Sequence, residues 1–274
     1  MNIEVPTRVL VEALISEDGT VDAAELYDVA ALLGMSDQQV RLCVKRLVAE
    51  GRFTHEGRGR KAVLRATART ERSLAPDVAF VRHAYQQDAG LAPWDGTWHL
   101  VAFAVPERSR QARDALRETL GRLGGAALQG GLYVSANAWE PYVEEAAREL
   151  GVLDHLTFAT TAMLRRGEEA DPVALARALW PQEELAARYH HLLDVIRPRL
   201  DRLTAANPLA PEQVVVIAIE LATAFTHAME PDPLLPPELL PQPWPGAQAR
   251  ELFARCWSLL RAHPGHLRLF ALYD

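Results

Sequence analysis

The chain has 274 residues, a formal net charge of −7, and hydrophobic and charged shares of 49% and 24%. This is enough length for two or three domains of ordinary globular composition. No apolar run reaches about 18 residues, so no transmembrane helix is expected. The leader MNIEVPTRVLVEALISEDG lacks the charge, apolar core and cleavage site of a signal peptide. The two cysteines, Cys43 and Cys256, exclude a disulfide framework and fit a reducing cytoplasm.

Residues 6–16 are predicted to form a helix with Val9, Leu10, Ala13 and Leu14 inside, and Glu17-Asp18-Gly19-Thr20 a turn. Asp22 is positioned to cap a second helix through Leu33, and Gly34 to end it. Ser36 and Gln39 form a Ser-x-x-Gln capping box for a third helix after a minimal turn. Val40, Cys43, Val44, Leu47 and Val48 recur on its inner face, while Gln38, Arg41, Leu42, Lys45 and Arg46 lie opposite. Gly51 marks the exit, before a strand–turn–strand unit with its turn at Gly57-Arg58-Gly59-Arg60. Three helices and then a hairpin make a winged helix-turn-helix.

Charge is unevenly spread. Residues 36–69 hold nine basic residues, Arg69 the last of them, against three acidic ones. The two preceding helices are acidic, through Glu12, Glu17, Asp18, Asp22, Glu25 and Asp28. A basic third helix and hairpin inside an acidic protein point to nucleic-acid phosphates.

Residues 67–91 are polar and helix-compatible, with Ala68, Leu74, Val78 and Val81 as the apolar positions, and Gly90-Leu91-Ala92-Pro93 reads as a boundary. Residues 98–105 form a nearly continuous apolar run, as for a central strand, ended by Pro106. Next come a helix over 108–123, a hairpin of 126–128 and 132–135 around Gly130-Gly131, a helix over 139–150 and a strand over 156–164. That β-α-β-β-α-β order is ferredoxin-like. Beyond Asp171-Pro172 the pattern is helical over 171–178, 183–202, 211–228 and 247–262. Between the last two, Pro alternates with Leu and Trp, which implies a packed segment. The fold class is α+β: a winged helix-turn-helix over 1–69, a helical linker over 70–93, a ferredoxin-like domain over 94–168 and an all-helical C-terminal domain over 169–274.

Three stretches, GMSDQQVRLCVKRLVAEG, WDGTWHLVAFAVPE with GGLYVSANAW, and DPLLPPELLPQPWPG, together resemble the phenylacetate-degradation repressor (PaaX) family of bacterial transcription regulators. The residues that carry the resemblance are Val40-Arg41, Arg46-Leu47, Trp94-Asp95-Gly96, Trp98, Asp232-Pro233, Leu239-Leu240-Pro241 and Trp244-Pro245-Gly246. The resemblance implies a cytoplasmic homodimeric repressor that leaves operator DNA when a pathway metabolite binds. For the name-giving members that metabolite is phenylacetyl-coenzyme A, so an aryl-acyl-coenzyme A effector is implied. Leu42 and Lys45 stand where small polar residues are common in the family, which implies a different operator.

In the third helix, Gln38 and Arg41 are candidates for reading adenine and guanine. Leu42 is open to a thymine methyl or to cover by protein. Ser36, Gln39, Lys45, Arg46, Arg58, Arg60 and Lys61 complete the candidate DNA-binding set, the arginines and Lys61 as phosphate contacts. For the effector, Trp180, Tyr189, His190 and Arg197 are candidate pocket residues, and Arg165 and Arg166 candidates for coenzyme A phosphates. Each also reads as ordinary core or surface.

Trp94-Asp95-Gly96 and Trp98 read first as a turn entering a core strand with packed indoles. Nuclease domains of the CRISPR spacer-acquisition type share the ferredoxin-like fold and end their first strand on an acidic residue. Residues 98–105 have none, so nuclease chemistry is not expected. His190-His191 point about 100° apart on a helix, and His263-Pro264-Gly265-His266 has no nearby carboxylate, so no metal or other cofactor is expected. The competing readings are an acyl-coenzyme-A- or nucleic-acid-processing enzyme with a winged-helix docking module, and a protein-interaction module. The first lacks a convergent catalytic set and the second does not explain the basic third helix.

Overall fold

The computed structural model describes residues 3–68, 70, 78–263 and 267–271. Arg69, Leu74 and the Pro264-Gly265-His266 end of the histidine turn lie outside the described residues. In chain order the main elements are α1 (Thr7–Ala13), β1 (Thr20–Asp22), α2 (Ala23–Leu32), α3 (Asp37–Ala49), β2 (Phe53–Glu56), β3 (Val63–Ala66), α4 (Val78–Asp88) and β4 (Trp98–Phe103). Then come α5 (Arg110–Arg122), β5 (Ala126–Gln129), β6 (Leu132–Ser135), α6 (Glu140–Glu149), β7 (Leu156–Thr161), α7 (Pro172–Leu179), α8 (Gln182–Thr204), α9 (Pro211–Met229) and α10 (Pro245–Arg261). The fold is α+β, with helices and two antiparallel sheets. It divides into two compact units: Met1–Arg82 with His190–His227 and Gln248–Asp274, and His83–Tyr189 with Ala228–Ala247.

In the first unit, β1, β3 and β2 form a three-stranded sheet in that order. Strand β1 is absent from the sequence expectation. It is three residues long and pairs Thr20 with Arg65 and Asp22 with Val63, so neither period nor length marks it in the sequence. Asp22 closes β1 and caps α2, accepting the Glu25 N–H at 3.0 Å. Leu10, Val11, Leu14, Leu26, Val29, Val40, Leu47, Phe53 and Leu64 are buried between the helices and the sheet. Arg52 ties the hairpin base to α1 through Glu12 at 3.2 Å.

In the later helices of this unit, Phe225 stacks on Phe253 at 3.9 Å and Phe253 on Trp257 at 5.3 Å between centroids. The buried Arg199 meets Glu220 at 2.9 Å and also donates to the Val195 carbonyl, so the guanidinium is neutralised where water is excluded. By length and composition alone α9 is apolar enough to cross a membrane, and 56% of its apolar window is buried within the fold, as it is for core helices that meet the same criterion.

In the second unit, the four-stranded sheet runs β5-β6-β4-β7, every pair antiparallel. Val101 and Phe103 of β4 face α5 and α6 with Leu116, Leu120, Trp139 and Val143. Trp98 and Leu100 of the same strand face the opposite way, toward Ala176, Trp180, Leu235 and Leu239. Both faces are covered, which is why β4 reads as continuously apolar.

The proline-rich segment before α10 is packed: Pro233, Leu234, Leu235, Pro236 and Trp244 are buried. The Asp232 carboxylate accepts the Tyr189 O–H and, at 2.8 Å, the Leu234 N–H. Leu234 adopts φ 50°, and its carbonyl accepts Gln87 Nε2 at 2.9 Å and Asn137 Nδ2 at 2.8 Å. The segment runs so close to Gly124 (φ 83°) that a Cβ there would lie 2.9 Å from the Pro233 backbone. Gly124→Ala is therefore expected to lower stability by about 2 kcal/mol. Gly121→Ala, in open space on α5, should raise it by about 0.5–1 kcal/mol. Urea unfolding of both variants checks this, and equal midpoints would remove the close approach as a constraint.

Candidate nucleic-acid interface

The interface candidate is built on α3 and the β2–β3 hairpin. Ser36 Oγ accepts the Gln39 N–H at 3.3 Å and Gln39 Oε1 accepts the Ser36 N–H at 2.8 Å, so both ends of the capping box are closed. Ser36 and Gln39 thus commit their side chains to starting the helix. Val40, Cys43 and Leu47 are buried and Val44 and Val48 half-buried. Burial holds the Cys43 thiol above its usual range, with Arg46 acting against this. The helix ends at Gly51, whose φ of 68° turns the chain toward β2.

Gln38, Arg41, Leu42, Lys45 and Arg46 are all exposed. At about 100° per residue, Gln38, Leu42 and Lys45 lie along the middle of the outward face, with Arg41 and Arg46 on its flanks. Arg46 stands 3.9 Å from Glu50, an exposed pair of small energetic weight. In the hairpin, Arg58, Arg60 and Lys61 are exposed around a single 3-10 turn, Gly59–Lys61. Among the described residues, Arg41, Lys45, Arg58 and Lys61 form no ion pair.

Arg60 differs from its neighbours. Its Nη1 donates to Asp28 Oδ1 of α2 at 2.5 Å, and its guanidinium lies 5.9 Å from the Tyr27 ring centroid. The hydrogen bond to Asp28 pushes its pKa further up. Sequence groups Arg60 with the phosphate contacts because nothing local links it to a residue 32 positions earlier. Arg52 is similarly drawn inward, to Glu12.

The effector candidates fall in different surroundings. Trp180 is buried, donates its indole N–H to the Gly124 carbonyl at 2.9 Å and stacks with Trp98 at 6.3 Å. It also borders a cleft of about 590 Å³ with Arg177, Gln182, Glu183 and Pro241. Tyr189 is buried against Trp244, with its hydroxyl on Asp232. Both rings therefore spend their polar atoms on protein. Trp180 and Tyr189 belong to the second unit, His190 and Arg197 to the first. His190 and Arg197 are exposed, Arg197 standing 3.6 Å from Asp194. Arg165 and Arg166 are exposed beyond β7, where Arg166 pairs its backbone with Glu169.

Three family models match the chain in order: "PaaX-like protein" over residues 7–70, "PaaX protein central Cas2-like domain" over 91–173 and "PaaX-like protein C-terminal domain" over 180–266. Transcriptional repressor PaaX of Escherichia coli (strain K12) is 30% identical over 246 residues, covering 83% of this chain and 71% of that protein. Among solved structures, uncharacterized protein Rv0674 from Mycobacterium tuberculosis matches with a TM-score of 0.55 at 22% identity, over 98% of this chain and 99% of that one, a likeness of fold.

The cap is open to direct test. Ser36→Ala removes the acceptor for the Gln39 N–H and is expected to cost about 1 kcal/mol. Thermal unfolding measures the loss, and an unchanged transition would show that the cap does not hold the start of α3.

Proposed function

The chain belongs to the PaaX-like family and is a transcription regulator, not an enzyme; on that premise we propose that it is a repressor that docks α3 in the major groove of operator DNA. The observation that carries this reading is the exposed outward face of α3, with Gln38, Arg41 and Lys45, followed in the chain by a hairpin on which Arg58 and Lys61 are also exposed, in a chain of net charge −7. In this reading the α1–α3 helices and the β2–β3 hairpin are a winged helix-turn-helix, with the hairpin as wing. Gln38 and Arg41 meet base edges, while Lys45, Arg46, Arg58 and Lys61 meet phosphates. Arg60 holds the wing against α2 through Asp28.

The β5-β6-β4-β7 strand order with α5 and α6 on one face supports a ferredoxin-like central domain. The helices beyond it form the C-terminal domain. The protein acts in the cytoplasm as a homodimer, presenting two α3 helices to half-sites about one helical turn, or a multiple of one, apart. An aryl-acyl-coenzyme A favours the DNA-incompetent arrangement by roughly 3 kcal/mol for a hundredfold loss of affinity. In this reading Arg165 and Arg166, both exposed, meet its phosphates.

Arg58→Ala with Lys61→Ala is expected to weaken binding to all duplex sequences alike. It should also flatten the dependence of log K on log salt by up to about 1.8, two phosphate contacts at about 0.9 each. Fluorescence anisotropy against salt measures this; an unchanged slope would take the hairpin out of the interface. For the effector, the expected outcome is a raised melting temperature with phenylacetyl-coenzyme A and none with coenzyme A alone. No shift with any aryl-acyl thioester would separate this regulator from that ligand class.

A further inference from the structure

We infer that Leu42 is a specificity-determining residue, which reads the methyl group of one thymine in each half-site. This inference rests on the DNA-binding reading above and adds to it a base-pair feature recognised without a hydrogen bond.

Leu42 is 60% exposed, while Val40, Cys43 and Leu47 of the same helix are at 6% or less. It is one of six large apolar side chains standing out from the surface of the described residues. A lone surface leucine needs no explanation in general. Its place gives this one a meaning. Leu42 lies four residues after Gln38 and three before Lys45, which puts the three on one line at the centre of the outward face. Arg41 flanks it. An apolar tip is thus ringed by an amide, an ammonium and a guanidinium, the side chains suited to base edges and phosphates.

The major-groove edge of B-DNA offers donors, acceptors and one apolar group, the C5-methyl of thymine. A leucine in the centre of a docked helix has no hydrogen bond to give. Against thymine it buries apolar surface on both sides. Against cytosine or adenine it would cover an amino group and leave that donor without a partner. Leu42 therefore selects in two ways, by the methyl it covers and by the amino groups it would strand.

The test uses the full-length chain. Duplexes are selected in vitro from a randomised library, and each thymine of the recovered sequence is replaced singly by deoxyuridine, which removes the methyl alone. Affinities are read by anisotropy at fixed salt. One position in each half-site is expected to lose about fourfold on replacement, the worth of one buried methyl group. Leu42→Ala should bind the thymine and uracil duplexes equally at that position and keep the wild-type salt slope, since no phosphate contact is lost. Leu42→Met, which keeps an apolar tip, should retain the discrimination. Indifference of the wild type to every uracil, discrimination that survives in Leu42→Ala, or binding without sequence enrichment would each overturn the inference while leaving salt-dependent DNA binding intact. Absence of any salt-dependent binding by the wild type would instead remove the DNA-binding reading, and this inference with it.

Discussion

Asp232 is 5% exposed, and a carboxylate in that position persists only when protein donors replace the water it has lost. The Tyr189 O–H and the Leu234 N–H are two of them. This contact pins the start of the proline-rich segment, and the path of the next dozen or so residues depends on where that start is held. Leu234 is kept at a positive φ by Gln87 and Asn137, each donating to its carbonyl. Leu235 and Leu239 are delivered to the sheet face shared with Trp98 and Trp180. Trp244 comes back against the Tyr189 ring at 6.0 Å, just ahead of α10. Rigid proline, a buried carboxyl group and two side-chain amides thus do for this irregular segment what a ladder of backbone bonds does for a strand.

The same physical view applies to the tryptophan-rich entry to β4. Asp95 accepts the Thr97 N–H at 2.8 Å, and Trp94 packs edge-on to Trp98 at 5.2 Å. These residues stand out in the sequence, yet the Trp94 indole N–H donates to the Thr97 carbonyl at 3.2 Å, its backbone N–H to Glu238, and both rings lie in or against the core. Prominence in a sequence motif here reflects packing that has few alternatives.

In the N-terminal helices and hairpin, charges of opposite sign are segregated. Acidic residues crowd α1, β1 and α2, where Asp18 accepts from the hydroxyls of Ser16 and Thr20 and from the Thr20 N–H; these bonds hold its pKa at about 2. The basic residues are displaced to α3 and the hairpin. Arg60 bridges the two sets through Asp28, with more than half of each side chain exposed. An ion pair so open to water contributes little by itself, so the pair sets the direction of the Arg60 side chain more than the stability of the fold. The net charge of −7 still matters, because it disfavours non-specific adherence to nucleic acid outside the basic face.

What the sequence determined by itself was whatever a short stretch can specify. The capping box of α3 spans four residues, its buried stripe repeats within a few turns, and β4 declares its two covered faces by a nearly unbroken apolar run; all three are present in the structure. The strand and helix order of the central unit was legible for the same reason, since each element carries its own period. Tertiary structure decided the rest. Strand β1 exists because β3 passes beside it more than 40 residues later. Arg60 turns to Asp28 across 32 residues, the Trp180 indole finds the Gly124 carbonyl across 56, and Tyr189 finds Asp232 across 43. A hydrogen-bonding side chain announces in the sequence only that it needs a partner; which atom satisfies it depends on what the folded chain brings within about 3 Å.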